Sequence, residues 1–133
     1  MKHILIAFAL TVAAHPSWAG PGDRLDGIRI GQPAGELRWL DKTSGKFKHG
    51  KTTVEVKEGE VVTVWGEHLV TDADQEVKLG QSGQIALKIL GRPDGGTLYG
   101  CGTTSQQIHF YKNEGLDLTV TNGKVTGIRL YSR

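Results

Sequence analysis

Few residues in this 133-residue chain have the types and spacing that chemistry needs. Cys101 and His109 are the first pair to weigh. A thiol becomes a nucleophile when a neighbouring base or positive site lowers its pKa. The two residues stand eight positions apart on separate strand candidates, with no orienting acid identifiable. Cys101 is the only cysteine, so it cannot form an internal disulfide. It reads as a small buried side chain, the alternatives being a disulfide to a second chain or a thiol-dependent enzyme. His49, His68 and His109 lie 19 and 41 residues apart. A zinc site shows closer pairs or a Cys/His cluster, so no metal and no cofactor are expected. Gly80-Gln81-Ser82-Gly83 stands where a strand gives way to a helix, a place where free N–H groups can hold an anion. It lacks the lysine of a phosphate loop and reads as a tight turn with Ser82 as N-cap.

The more informative set is Trp65, Tyr111, Arg129 and Tyr131. Period-two alternation assigns them to the sheet face opposite the valines and leucines. Aromatic residues and arginine are enriched at binding hot spots. These four are therefore the expected partner-binding residues, and a second core layer is the alternative. No catalytic residue is assigned.

The elements that must position them come in two similar runs. Ile28-Arg29-Ile30-Gly31-Gln32 precedes a helix candidate at 33–40, with Pro33 in its first turn and Leu37 and Leu40 on one face. Asp41 to Lys51 reads as a loop. Val54 and Val56, the turn Glu58-Gly59, then Val62 and Val64 form a hairpin. The second run opens with a strand at Glu76 to Leu79 and an apolar helix candidate at 82–90, stopped by Gly91 and Pro93. A weak strand around Cys101 comes next, then clear alternation from Gln107 to Lys112. Leu116, Leu118 and Val120 then lead to Asn122-Gly123, the strongest hairpin signal in the chain. Gly31 matches Gly80 at an offset of 49, and Gly59 matches Gly123 at an offset of 64. The second run thus carries about fifteen more residues between helix and hairpin. The expected fold class is α+β, with two tandem helix-plus-antiparallel-sheet repeats and helices packed on one sheet face. The repeats are expected at 20–70 and 71–133.

Residues 1–19 stand apart. A basic start at Lys2 and His3, an apolar run from Ile4 to Ala14 and the small residues of Ser17-Trp18-Ala19 predict a signal peptide cut after Ala19. The apolar run is shorter than the roughly 20 residues a bilayer span needs. The expectation is a periplasmic or secreted protein with no membrane span after cleavage. Formal charge is +2 over the whole chain, with basic and acidic residues interspersed. That distribution argues against a nucleic-acid partner, which needs a basic patch.

Three segments carry a family resemblance. Leu79-Gly80-Gln81-Ser82, Ile89-Leu90-Gly91-Arg92-Pro93 and Asn122-Gly123-Lys124-Val125-Thr126-Gly127-Ile128 resemble the BamE/SmpA outer-membrane lipoprotein family and the related β-lactamase inhibitor protein fold. The inhibitor fold is itself a tandem repeat of such modules. No cysteine follows the cleavage point for a lipid anchor, and the first run has Leu40-Asp41-Lys42-Thr43 where the family has Leu-Gly-x-Pro. The resemblance implies a non-catalytic, protein-binding module acting as an inhibitor or envelope assembly factor. Its partner would be another protein in the envelope or outside the cell. Binding of cell-wall glycans and a thiol enzyme using Cys101 and His109 are the alternatives.

Overall fold

The computed structural model describes residues 23–99 and 105–133. Ten strands run through them: β1 (Arg24–Leu25), β2 (Gly45–His49), β3 (Thr52–Lys57), β4 (Glu60–Gly66), β5 (His68–Val70), β6 (Glu76–Lys78), β7 (Gly95–Tyr99), β8 (Gln106–Tyr111), β9 (Leu116–Thr121) and β10 (Lys124–Tyr131). Seven of them form one antiparallel sheet in the order β2-β3-β4-β10-β9-β8-β7. The order β1-β5-β6 makes a second, three-stranded antiparallel sheet. Among the described residues there is a single α-helix, α1 (Gly83–Leu90), and a 3-10 turn at Ala34–Glu36.

A repeat runs through this architecture, but its unit is a docking turn plus a bulged hairpin. In the β3–β4 hairpin the pairs are Thr53 with Trp65, Val54 with Val64, Glu55 with Thr63, Val56 with Val61 and Lys57 with Glu60. Each has its counterpart 64 residues on in β9–β10, from Asp117 with Arg129 to Thr121 with Lys124. Both hairpins turn on a pair of left-handed residues, Glu58-Gly59 and Asn122-Gly123. That is the type I′ geometry that matches strand twist. Both carry a bulge at the same place, at Val62 and Thr126.

The docking turns repeat as closely. Gly31 N–H donates to the Val61 carbonyl and Gly80 N–H to the Val125 carbonyl, each at 2.8 Å. Val61 N–H donates to the Gln32 carbonyl at 3.0 Å, and Val125 N–H to the Gln81 carbonyl at 2.9 Å. Gly31 and Gly80 both sit at positive φ, 89° and 87°. A side chain there would be strained, which explains why both turns use glycine.

The core lies on one face of the large sheet. Val54, Val56, Val61, Val64, Leu116, Leu118, Val120, Val125, Ile128 and Leu130 supply the sheet side. Leu25, Leu69 and Val77 of the small sheet, Ala86 of α1, and Ile30, Ala34, Leu37 and Leu40 cover it. Gly66 faces this side, where a Cβ would come 2.5 Å from Asp26 Oδ2. Its bareness lets the Asp26 carboxylate reach the N–H groups of Glu67 and His68 and the Thr52 hydroxyl, at 2.6–3.2 Å. A single carboxylate thus ties β1 to the β4–β5 corner.

The architecture corrects the α+β expectation. The chain is mostly β, and the strands of both halves merge into one sheet. It does not fold as two helix-plus-sheet repeats packed together. The helix expected at 33–40 shrinks to the turn Ala34–Glu36, because Pro33 and Leu37 are both extended. Gly35 lowers helix propensity there, where the second run has Gln84. Leu37 and Leu40 reach the core from irregular backbone instead. The second helix forms at Gly83–Leu90, with Ser82 at the N-cap position but making no side-chain cap bond. The loop expected from Asp41 to Lys51 contains the edge strand β2, whose lysines and flanking glycines hide the strand pattern.

Two of these features set stability. Glu58 holds φ 52°, a left-handed conformation its Asn122 counterpart tolerates better. Glu58→Asn should stabilise the chain by about 0.5–1 kcal/mol in urea denaturation, with the slope unchanged. Asp23 concerns pH. Burial pushes its carboxyl up from 3.8 to about 6, opposed by the Asp72 N–H bond and reinforced by the Asp72 and Glu114 carboxylates. Its folded pKa lies above its unfolded one, so the ionised carboxylate costs stability at neutral pH. That cost is relieved as pH falls through about 6 and is gone below 3.8. The group is half exposed and water screens much of the effect, leaving about 1 kcal/mol. Asp23→Asn should be more stable than the parent by that amount at neutral pH, with the gap closing in acid.

Candidate functional site

Among the described residues, those that could do chemistry do not converge. His49 stacks on Trp39 at the β2 edge, with ring centroids 4.8 Å apart. His68 pairs with Glu76 on the small sheet at 3.1 Å. His109 sits on β8 opposite Leu118, its ring 3.2 Å from Gln107 Oε1. Burial lowers its pKa. Cys101 lies outside the described residues, and so does the pairing with His109 that the sequence raises. Among the described residues no three His, Cys, Asp or Glu side chains group so as to hold a metal ion. At the start of α1, Gly83 N–H donates to the Gly123 carbonyl at 2.8 Å. That N–H is spent on the docking turn.

The outer face of the large sheet is different. Every covering element among the described residues meets the inner face, so the outer side chains stand half-buried only by one another. Cross-strand partners share a face, and one row crosses all seven strands: Lys48, Thr53, Trp65, Arg129, Asp117, Phe110 and Gly95. Trp65 and Arg129 are direct partners at its centre. Arg129 Nη2 meets Asp117 Oδ2 at 2.7 Å, and its guanidinium lies over the Tyr131 ring at 4.5 Å. Burial raises the Tyr131 pKa, reinforced by Asp117 and opposed by Arg129. Lys46 on β2 places its ammonium 4.4 Å above the Trp65 ring. The result is a continuous line of cation, ring, guanidinium, carboxylate and ring.

A depression of about 270 Å³ opens beside this line, between Trp65, Ile108, Asp117, Thr119, Gly127 and Arg129. The Arg129 Nε at this site is buried and has no hydrogen-bond partner. Aromatic rings held by neighbouring charges have little rotamer freedom left to lose. Among the described residues of this face no general acid or base stands next to a nucleophile.

Three of the four expected partner-binding residues lie on this face: Trp65, Arg129 and Tyr131. Tyr111 does not. It points inward opposite Leu116 and is only 2% exposed. Its hydroxyl donates to the Gly91 carbonyl at 2.9 Å, tying β8 to the end of α1. Burial, with help from Glu114 and Asp94, pushes its pKa up to about 12. The signal for this placement is present in the sequence. The four residues Lys112–Gly115 join β8 to β9, so the flanking Tyr111 and Leu116 become partners and share a face. Ile108 and Phe110 take the outer places instead. Lys46 and Asp117 also belong to the face without standing out in the sequence, the first because β2 carries the pattern of a loop.

No helix among the described residues is long and apolar enough to cross a membrane. Compared with protein-family models, curated proteins and solved structures, the chain matches none.

Proposed function

We propose that this chain is an exported, non-catalytic module that binds another protein through the outer face of its large sheet, as an inhibitor or an envelope assembly factor. The observation that carries the reading is the Trp65–Arg129 pair at the centre of an uncovered face, flanked by Lys46, Asp117 and Tyr131. Hot spots cluster at the centre of an interface and are enriched in Trp, Tyr and Arg, which is this arrangement. Seven strands at ~4.8 Å spacing and about 20 Å in length give a plane of about 600 Å² before side-chain relief. That approaches the roughly 800 Å² per partner of a stable interface. A flat, ridged sheet suits a protein surface better than a small molecule, which needs a concave site. The signal-peptide reading of residues 1–19 supplies the compartment, periplasmic or secreted. The resemblance to BamE/SmpA and the β-lactamase inhibitor protein fold supports the class of partner. Its motif segments are the residues that build the second docking turn and hairpin.

The test is capture of the partner from envelope and secreted fractions with the parent chain and Trp65→Ala side by side. The substitution should weaken the complex by about 2 kcal/mol or more, with the melting temperature little changed. A loss of about 3–5 kcal/mol of fold stability would make Trp65 a core residue and remove the basis of the reading. Sedimentation with peptidoglycan in the absence of any protein partner would transfer it to glycan binding.

A further inference from the structure

We propose that the free edge of β2 takes an extended acidic segment of the partner by strand addition, selected by Lys46 and Lys48. This rests on the protein-binding reading above and gives the partner its chemistry. Among the described residues β2 stands at the end of the seven-stranded order, and no described strand neighbours one row of its N–H and C=O groups. Such a row is a template for another strand. The strand alternates cleanly. Gly45, Phe47 and His49 pair with Val56, Val54 and Thr52 and turn inward. There Phe47 packs against the core and Trp39 stacks on His49. Lys46 and Lys48 turn outward, opposite Glu55 and Thr53. The inner side is thereby fixed by packing, and the outer side is left to charge.

Charge on this edge is concentrated. Between Arg38 and Lys57 six basic side chains stand against two carboxylates, a net of +4 in a chain whose whole formal charge is +2. Among the described residues neither Lys46 nor Lys48 pairs with a carboxylate. Glu55, directly across from Lys46, accepts instead from the Thr63 hydroxyl at 3.2 Å. Lys46 turns over Trp65, so the basic edge runs without a break into the centre of the proposed interface. The other edge, β7, reads Gly-Gly-Thr-Leu-Tyr and has no charge at all.

The same lysines decide between occupants. A second copy pairing through β2 would set lysine against lysine, which is how natural edges resist self-association. An incoming strand with acidic residues at alternate positions would set carboxylates opposite Lys46 and Lys48 on one face. Opposite charges directly across a ladder stabilise it. A polyanion such as a glycan or an anionic lipid surface would meet the lysines but leave the backbone row unused.

The probe is a short peptide of alternating glutamate and valine, titrated into the purified chain. Its controls are the lysine counterpart, heparin and phosphatidylglycerol vesicles. Amide hydrogen exchange is read residue by residue. The expected result is salt-sensitive binding of the acidic peptide, with new protection confined to Gly45–His49. In Lys46→Gln/Lys48→Glu, both side chains being exposed and the first left uncharged because it stands opposite Glu55, that binding should fall about tenfold or more with the melting temperature unchanged. The variant should instead bind the lysine peptide. No binding by the folded parent, binding without protection of β2, or tighter binding to heparin or vesicles overturns strand addition. Capture of the natural partner separates the two readings. Loss with Trp65→Ala but not with the double variant leaves the face and removes the edge. Loss with the double variant alone does the opposite.

Discussion

The pairing of β4 with β10 is the constraint on which the rest depends. It joins Thr63, Val64, Trp65 and Gly66 to Tyr131, Leu130, Arg129 and Ile128. Shifting any of these residues by 64 positions within its repeat carries Trp65 onto Arg129, Val64 onto Ile128 and Gly66 onto Leu130. The ladder therefore maps onto itself about the Trp65–Arg129 pair. Two hairpins with the same turn and the same bulge meet here edge to edge about a local two-fold axis. Neither hairpin alone is a stable sheet, since two strands are marginal in water. Joined, they bury one continuous apolar face and leave one continuous polar face.

The consequence for the inner side is that each hairpin needs a cover of its own. The Gly-Gln docking turns deliver one to each, bonding to equivalent carbonyls in β4 and β10. The segments beyond the two turns differ because the spaces they fill differ. In the first half Leu37 and Leu40 fill the space from irregular backbone. In the second, Gly83 packs against Val120, where a Cβ would come 2.7 Å from the valine methyl. That closeness seats an eight-residue helix directly on the sheet.

Much of this is legible in the sequence, for reasons that are local. Period-two alternation fixes which valines and leucines face inward away from the bulges. At the β4 bulge it fails, because the extra residue there buries Val61 in place of the expected Val62. Asn122-Gly123 announces its hairpin, and Glu58-Gly59 is found through the offset of 64. The other failures are all non-local. The helix at 33–40 gives way to the packing of Leu37 and Leu40 from irregular backbone, although Ala34 and Gly83 make the same docking bond, to Gly59 and Gly123. Strand β2 has weak intrinsic signal and exists because β3 offers it an edge. The polar tip of Tyr111 suggests an outer place, whereas the four-residue connection to Leu116 decides its side. Its buried ring needs one acceptor, which the Gly91 carbonyl provides.

The repeat makes the departures from symmetry informative. An exact duplication would place the same side chains on both sides of the central axis. Instead the row running outward from Trp65 ends in Lys48, and the row running outward from Arg129 passes Asp117 and Phe110 to Gly95. One end of the face is basic and narrow-backed. The other is apolar, uncharged and one strand wider, with β8 and β7 standing where the first end has β2 alone. The central hairpins share turn, bulge and docking glycine, while their outer side chains differ. Packing accounts for the first, because every shared feature is tied to the buried face. It cannot account for the second, because the outer side chains support nothing beneath them. The central ladder is symmetric in backbone, whereas the face around it is basic at one end and apolar at the other.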